Sequence, residues 1–94
     1  MKIAVVILNW NGIKFLQQFL RNVVAHSSDL AQVYVADNGS TDGSVDYVRS
    51  HHPEVQIIET GGNFGYAGGY NRALAQIKES YAVLLNSDVE VAPD

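Results

Sequence analysis

Two aspartates stand where apolar stretches of the chain stop, and they are the first residues that could do chemistry. Asp37 follows the run Gln32–Ala36 and opens Asp37-Asn38-Gly39-Ser40-Thr41-Asp42. Gly39 to Asp42 read as a turn into a helix, because Asn-Gly favours positive φ and Thr or Asp caps helix N-termini. Turn chemistry does not explain Asp37 itself. A carboxylate on a strand end can accept a hydrogen bond from the N3–H of uracil or thymine, or from ribose hydroxyls. Asp88 ends Asn86-Ser87-Asp88, just past the apolar run Tyr81–Leu85. It is either the polar exit from a buried strand or a ligand for a hard divalent cation, Mg²⁺ or Mn²⁺. Such a cation takes oxygen ligands and is commonly held by one or two carboxylates together with substrate phosphates. Glu90 is close enough in sequence to add to the local field.

The third candidate is the stretch Gly61-Gly62-Asn63-Phe64-Gly65-Tyr66-Ala67-Gly68-Gly69. A dinucleotide fingerprint would place such glycines directly after the first strand. That position reads Asn9-Trp10-Asn11-Gly12, and no Gly-Lys-Ser or Gly-Lys-Thr of a phosphate loop occurs anywhere. Two meanings stay open for the glycines: close approach to a ligand, or close packing of a helix on a sheet. His26, His51 and His52 are scattered without matching carboxylates, so solvation is the expectation for them. The same holds for Arg72. Tyr66 and Tyr70 lie one helical turn apart, and at least one should be core.

The elements that must position these groups alternate along the chain. Lys2–Leu8 is rich in Val and Ile and predicts strand one; Ile13, Leu16, Phe19, Leu20 and Val23 follow at helical spacing. Gln32–Ala36 predicts strand two, and Thr41 or Asp42 should cap a short helix with Val45 and Val48 inward. Pro53 marks its exit. Val55–Glu59 predicts strand three, and Ala67–Glu79 a helix with Tyr70, Ala73, Leu74 and Ile77 on one side. Tyr81–Leu85 predicts strand four. This order implies an α/β fold with a mostly parallel four-stranded sheet between helical layers, three-layer and Rossmann-like. Ligands of such sheets bind at the carboxyl ends of strands, where strand order reverses. All the polar clusters fall at that edge.

Composition sets the outer bounds. The chain has 94 residues, 47% hydrophobic, which suits one small globular domain over 1–94. A net charge of −4 and six Lys and Arg spread along the chain give no basic stripe for nucleic acid. The absence of cysteine rules out thiolate metal sites and suits a cytoplasmic location. Ile3–Leu8 is too short an apolar run for a signal peptide or membrane span.

In this order and spacing, the chain resembles the N-terminal half of family 2 glycosyltransferases, which have the GT-A fold. The residues that carry the resemblance are Val6–Gly12, Val35–Ser44, Asn63–Leu74 and Leu84–Asp88. They look most like the branch that includes rhamnosyltransferases and other polysaccharide-building enzymes. The resemblance implies a donor site for a UDP-, dTDP- or GDP-sugar formed by Asn9, Trp10, Asn11, Asp37, Asn38, Asn63, Gly65, Asn71, Asn86 and Ser87. Asp37 would face the base, and Asp88 would hold the divalent metal that bridges the diphosphate. It also implies inversion at the anomeric carbon by direct displacement, with a carboxylate general base activating the acceptor hydroxyl.

Two departures from the family pattern stand out. Asn86 replaces the first Asp of the usual Asp-x-Asp. Tyr70-Asn71 stands where many relatives have Arg-Asn, leaving Arg72 as a displaced candidate for the phosphates. The family's acceptor-binding half and its general base lie beyond the Asp-x-Asp region, so no catalytic residue is named in this chain. The fragment alone is expected not to transfer sugar efficiently. A glycan or lipid-linked acceptor would bind through that further half, at the inner face of the cell membrane through regions or partners outside the chain. Self-association through an uncovered sheet edge is also expected. The competing readings are a nucleotidyltransferase-like domain, disfavoured by the missing basic loop after strand one, and a non-catalytic binding module.

Overall fold

The computed structural model describes residues 3–27 and 31–87. Its sheet has four parallel strands, β1 (Ile3–Asn9), β2 (Ala31–Asp37), β3 (Gln56–Glu59) and β4 (Tyr81–Asn86), in the order β3-β2-β1-β4. The chain winds outward from β1 through β2 to β3, then crosses back to lay β4 on the free side of β1. Strand order therefore reverses between β1 and β4.

Alternation along each strand sends successive side chains to opposite faces. Val5 and Ile7 of β1 and Val33 and Val35 of β2 face one helical layer; Ala4, Val6, Leu8, Tyr34 and Ala36 face the other. The first layer is a continuous helical segment, α1 (Ile13–Phe15), a π-helical stretch Leu16–Leu20 and α2 (Arg21–Ser27), joined by α3 (Ser44–His51). The second layer is α4 (Gly65–Leu74), which buries Gly69, Tyr70 and Ala73. This is the expected three-layer arrangement, with a core on each side of the sheet.

Several details differ from the periodicity argument. Phe19 does not join the buried stripe: the π-helical stretch shifts the phase, so Leu16 and Leu20 are buried while Phe19 rests exposed against Phe15. Helix α4 ends at Leu74, not Glu79, and Leu74 is exposed. Ile77 still packs on the core, but from the loop beyond the helix. The N-cap of α3 is Gly43, at φ 87°, with no side-chain cap. Asp42 serves the helix from one residue earlier, accepting the Ser44 N–H at 3.0 Å. At the bottom of the sheet the Tyr34 hydroxyl donates to Glu79 at 2.9 Å. Burial first, and then this carboxylate partner, push the Tyr34 phenol up to about 12.

Candidate functional site

The carboxyl ends of the strands carry two rows of polar groups, one on each face. Parallel register places Asn9 beside Asp37, and Leu8 beside Asn86, so Ser87 follows next to Asn9. Ser87, Asn9 and Asp37 thus line up on the face of α1–α3. Asn38 and Asn86 belong to the face of α4.

The first row is buried, and its Asp37 end borders an outer cavity. Asn9 is 0% exposed and Asp37 2%. Asp37 Oδ1 accepts from Asn9 Nδ2 at 2.9 Å and from the Ser40 hydroxyl at 2.7 Å, while Oδ2 accepts from the Ser40 N–H at 2.9 Å. Asn9 Nδ2 also donates to Ser40 Oγ at 3.1 Å, and the Ser87 hydroxyl donates to Asn9 Oδ1 at 2.7 Å. The neighbouring loops are stitched in the same way. Asn11, at φ 52°, donates its N–H to Ser40 Oγ and accepts the Thr41 N–H on Oδ1, each at 2.8 Å. Asp42 accepts the Ile13 N–H at 3.0 Å and the Ser44 hydroxyl. Burial pushes the Asp42 carboxyl up, but these bonds from Ser44 and Ile13 outweigh it and hold the group below its ordinary value. On its outer side this loop borders a polar cavity of about 350 Å³, where Asp37, Ser40 and Asp46 face Arg49 and Glu59.

The second row opens into a cavity of about 280 Å³ lined by Leu8, Trp10, Asn38, Asn63, Gly65, Tyr66 and Asn86. It lies at the carboxyl ends of β1 and β4, at the reversal of strand order, against the start of α4. Trp10 and Tyr66 are exposed aromatic walls, with Tyr66 61% exposed and Tyr70 below it in the core. Asn38 is itself buried. It donates to the Gly65 carbonyl at 3.1 Å and accepts from Thr60 Oγ1 at 2.5 Å, so it pins the start of α4 to β2 and β3. Asn63 is exposed and accepts the Gly65 N–H at 3.2 Å.

The glycines divide between two uses. A Cβ on Gly69 would lie 2.7 Å from Leu8 Cδ1 and 2.8 Å from Asn38 Nδ2, so this glycine lets helix and sheet approach. Gly65 has open space around its Cβ direction and is needed for its φ of 73°, which turns the loop into α4.

The residues expected from sequence therefore fall into distinct places. Trp10, Asn38, Asn63, Gly65 and Asn86 meet at the α4-side cavity. Asn9, Asp37 and Ser87 lie together under the opposite face, and Asn11 stitches the loops beside them. Asn71 is exposed on α4 and does not line the cavity. Asp88 lies outside the described residues. Arg72 is not merely solvated: its guanidinium stacks 3.7 Å from the centre of the Phe64 ring. Ser40, Thr60 and Tyr66 belong to the site without having been assigned to it from sequence; of the pair Tyr66 and Tyr70, Tyr70 is the core member. For Ser40 and Thr60 the signal was only a hydroxyl in a turn, which most turns share.

No group of three or more His, Cys, Asp or Glu that could hold a metal occurs among the described residues. None of their helices is long and apolar enough to cross a membrane.

The model of the glycosyl transferase family 2 matches residues 4–94. An N-acetylglucosaminyl-diphospho-decaprenol L-rhamnosyltransferase of Mycobacterium tuberculosis is 29% identical, over 97% of this chain and 33% of its own length. A low-salt glycan biosynthesis hexosyltransferase of Haloferax volcanii is 26% identical, over 95% of this chain and 28% of its own. The chain thus spans about a third of the length of the curated relatives it matches. Among solved structures, a mannosyltransferase of Pyrobaculum calidifontis in complex with GDP-Man and Mn²⁺ superposes with a TM-score of 0.80 at 26% identity. That match covers 93% of this chain and 27% of the other. Glucosyl-3-phosphoglycerate synthase from Mycobacterium tuberculosis, at 19% identity and a TM-score of 0.78 over 93% of this chain and 33% of its own, shares the fold. The chain belongs to glycosyl transferase family 2.

Proposed function

We propose that this member of glycosyl transferase family 2 binds the nucleoside-diphosphate sugar of a glycosyl transfer, with the nucleoside in the cavity between Trp10 and Asn86. The observation that carries the reading is the convergence of Trp10, Asn38, Asn63, Gly65 and Asn86 on one cavity at the switch point of the sheet. Its volume of about 280 Å³ suits a nucleoside-sized moiety, with the rest of the donor extending over the open rim. Trp10 offers a flat apolar face for a base, and the amides of Asn63 and Asn86 offer donors and acceptors to hydroxyls and base edges. Asp37 sits behind this wall, its carboxylate engaged by Asn9 and Ser40, and shapes the loop that carries Asn38.

Among the described residues no Lys or Arg lines the cavity, so a diphosphate bound beside it calls for a further cation. We assign that role to a divalent metal, Mg²⁺ or Mn²⁺, held by Asp88 next to the turn Asn86-Ser87, an all-oxygen donor set that suits a hard ion. Bound there, the metal would stabilise the charge that develops on the departing nucleoside diphosphate. The GDP-Man and Mn²⁺ complex of the mannosyltransferase supports this reading. By resemblance the transfer inverts the anomeric carbon, and the general base and acceptor site lie outside this chain, so the fragment alone would bind donor without efficient turnover. The diphospho-decaprenol acceptor in the rhamnosyltransferase's name supports a lipid-linked acceptor, met on the cytoplasmic side of the membrane.

Trp10 is the single tryptophan, so its emission reports on the cavity directly. Titration with UDP, dTDP and GDP in the presence of Mn²⁺ should change that emission for at least one of them. Asp88→Ala should abolish the Mn²⁺-dependent part. An emission that no nucleotide alters, with or without metal, would sink the proposal.

A further inference from the structure

Beneath the open cavity, Asn9 makes four kinds of contact from a position with no access to solvent. A fully buried amide at the end of an apolar strand is costly unless its donors and acceptor are all partnered. Here the partners also dictate its orientation. The Asp37 carboxylate only accepts, so the Asn9 amide must turn Nδ2 toward it, at 2.9 Å, with Ser40 Oγ at 3.1 Å. Oδ1 must then face β4, where the Ser87 hydroxyl donates to it at 2.7 Å. The main chain repeats the link on both sides: Asn38 N–H donates to the Asn9 carbonyl at 2.8 Å, and Ser87 N–H to the Leu8 carbonyl at 3.0 Å. Only an amide of this length offers donors at one end and an acceptor at the other. An aspartate would set a second carboxylate against Asp37, and a leucine would leave buried groups unpaired.

The residues tied by Asn9 stand directly next to the walls of the cavity. Ser87 follows Asn86, Asp37 precedes Asn38, and Asn9 itself precedes Trp10. Gly12 closes the hydrogen bond from above. A Cβ at Gly12 would lie 2.5 Å from Asn9 Oδ1 and collide with Ser87 Oγ. We infer that Asn9 is a positioning residue: its buried amide, covered by Gly12, holds the β4 turn and the β2 loop at a fixed separation, so the walls keep their spacing before the ligand arrives. Asn9 and Ser87 then act through Asn86, Asn38 and Trp10 without touching the ligand. This inference rests on the reading of the cavity as the donor site.

The Asn9–Ser87 bond can be attacked by two routes. Ser87→Ala deletes the donor, and Gly12→Ala drives a methyl into the same space. Each should weaken binding of the preferred nucleoside diphosphate about tenfold, the loss expected from one positioned hydrogen bond. The Gly12→Ala methyl would still stand 2.5 Å from Asn9 Oδ1 if the Ser87 hydroxyl were gone, so it displaces the same amide by a second contact. Leu20→Ala, in the core under the first helical layer, should lower thermal stability without changing affinity. Backbone amide shifts of the ligand-free protein supply a second readout. Ser87→Ala should move the resonances of Asn38 and Ser40 on the far side of Asn9, and Leu20→Ala should not. Affinity of Ser87→Ala equal to wild type would overturn the inference. So would shifts confined to β4, whatever the ligand does. A wild-type protein that binds no nucleotide would instead defeat the donor-site reading, leaving the amide shifts to judge the brace.

Discussion

Gly69→Ala is the substitution on which helix propensity and packing disagree most clearly. Gly69 lies inside α4, where alanine is favoured over glycine by about 1 kcal/mol. By propensity alone the variant should be more stable. The geometry opposes this. The added Cβ would stand 2.7 Å from Leu8 Cδ1, 2.8 Å from Asn38 Nδ2 and 3.0 Å from Asn38 Oδ1. The leucine methyl can shift, but the Asn38 amide is held at both ends, by the Gly65 carbonyl at 3.1 Å and by Thr60 Oγ1 at 2.5 Å. Overpacking of this kind costs about 1–3 kcal/mol, and loss of one Asn38 hydrogen bond adds about 1 kcal/mol. After the gain in propensity, a net destabilisation of about 1–3 kcal/mol remains. For a domain of this size that lowers the Tm by roughly 5–20 °C. Thermal and urea denaturation of wild type and variant, fitted together, measure it. Nucleotide affinity should fall as well, since Asn38 lines the cavity. A Gly69→Ala protein as stable as wild type would refute the packing argument, because only the propensity term would then survive.

Other outcomes follow from single contacts. Asp42→Ala should cost about 1 kcal/mol at neutral pH, a capping-sized loss. Because the folded Asp42 carboxyl lies below its ordinary 3.8, its stabilisation is present above that pH and is lost as the pH falls through the lowered value. The gap between wild type and variant should therefore close in acid. Tyr34 behaves in the opposite sense. Its phenol is raised from 10.0 to about 12, so its contribution is intact below pH 10 and declines as the pH climbs toward 12. Chemical denaturation of Tyr34→Phe across that range should show the difference shrinking in alkali. The free side of β4 exposes Tyr81, Val83 and Leu84, with Tyr81 60% exposed, and such an edge invites pairing. Light scattering should show association of the 94-residue chain that Val83→Lys reduces; a clean monomer at high concentration would count against it.

The order of strands and helices was legible because alternation of β-branched runs with helical spacing leaves few topologies for a parallel sheet. The carboxyl-edge placement of Asn9, Asp37 and Asn86 followed from that order. Which face each residue takes was not legible. Asp37 and Asn38 are adjacent, yet pleating sends Asp37 to the buried row on the α1–α3 face and Asn38 to the α4-side cavity, and a one-residue change in register would exchange them. Phe19 misled because a π-helical stretch breaks the spacing on which the apolar stripe was counted. Leu74 and the early end of α4 misled because Ile77 reaches the core from a loop, giving a helical spacing without a helix. For Ser40 only the local half was legible, a turn hydroxyl three residues after Asp37; its bond to Asn9, 31 residues away, and that of Thr60 to Asn38, 22 residues away, leave no local signal.

Binding of a nucleoside-diphosphate sugar at the carboxyl edge of this sheet is the central proposal. Calorimetric titration with UDP-, dTDP- and GDP-sugars, with Mn²⁺ and with a chelator, tests that directly. At least one donor should bind saturably and one-to-one, more tightly with Mn²⁺ and about tenfold or more weakly in Trp10→Ala, the loss of one base stack. Absence of heat for every donor under both conditions, from a protein whose unfolding remains cooperative, would contradict it.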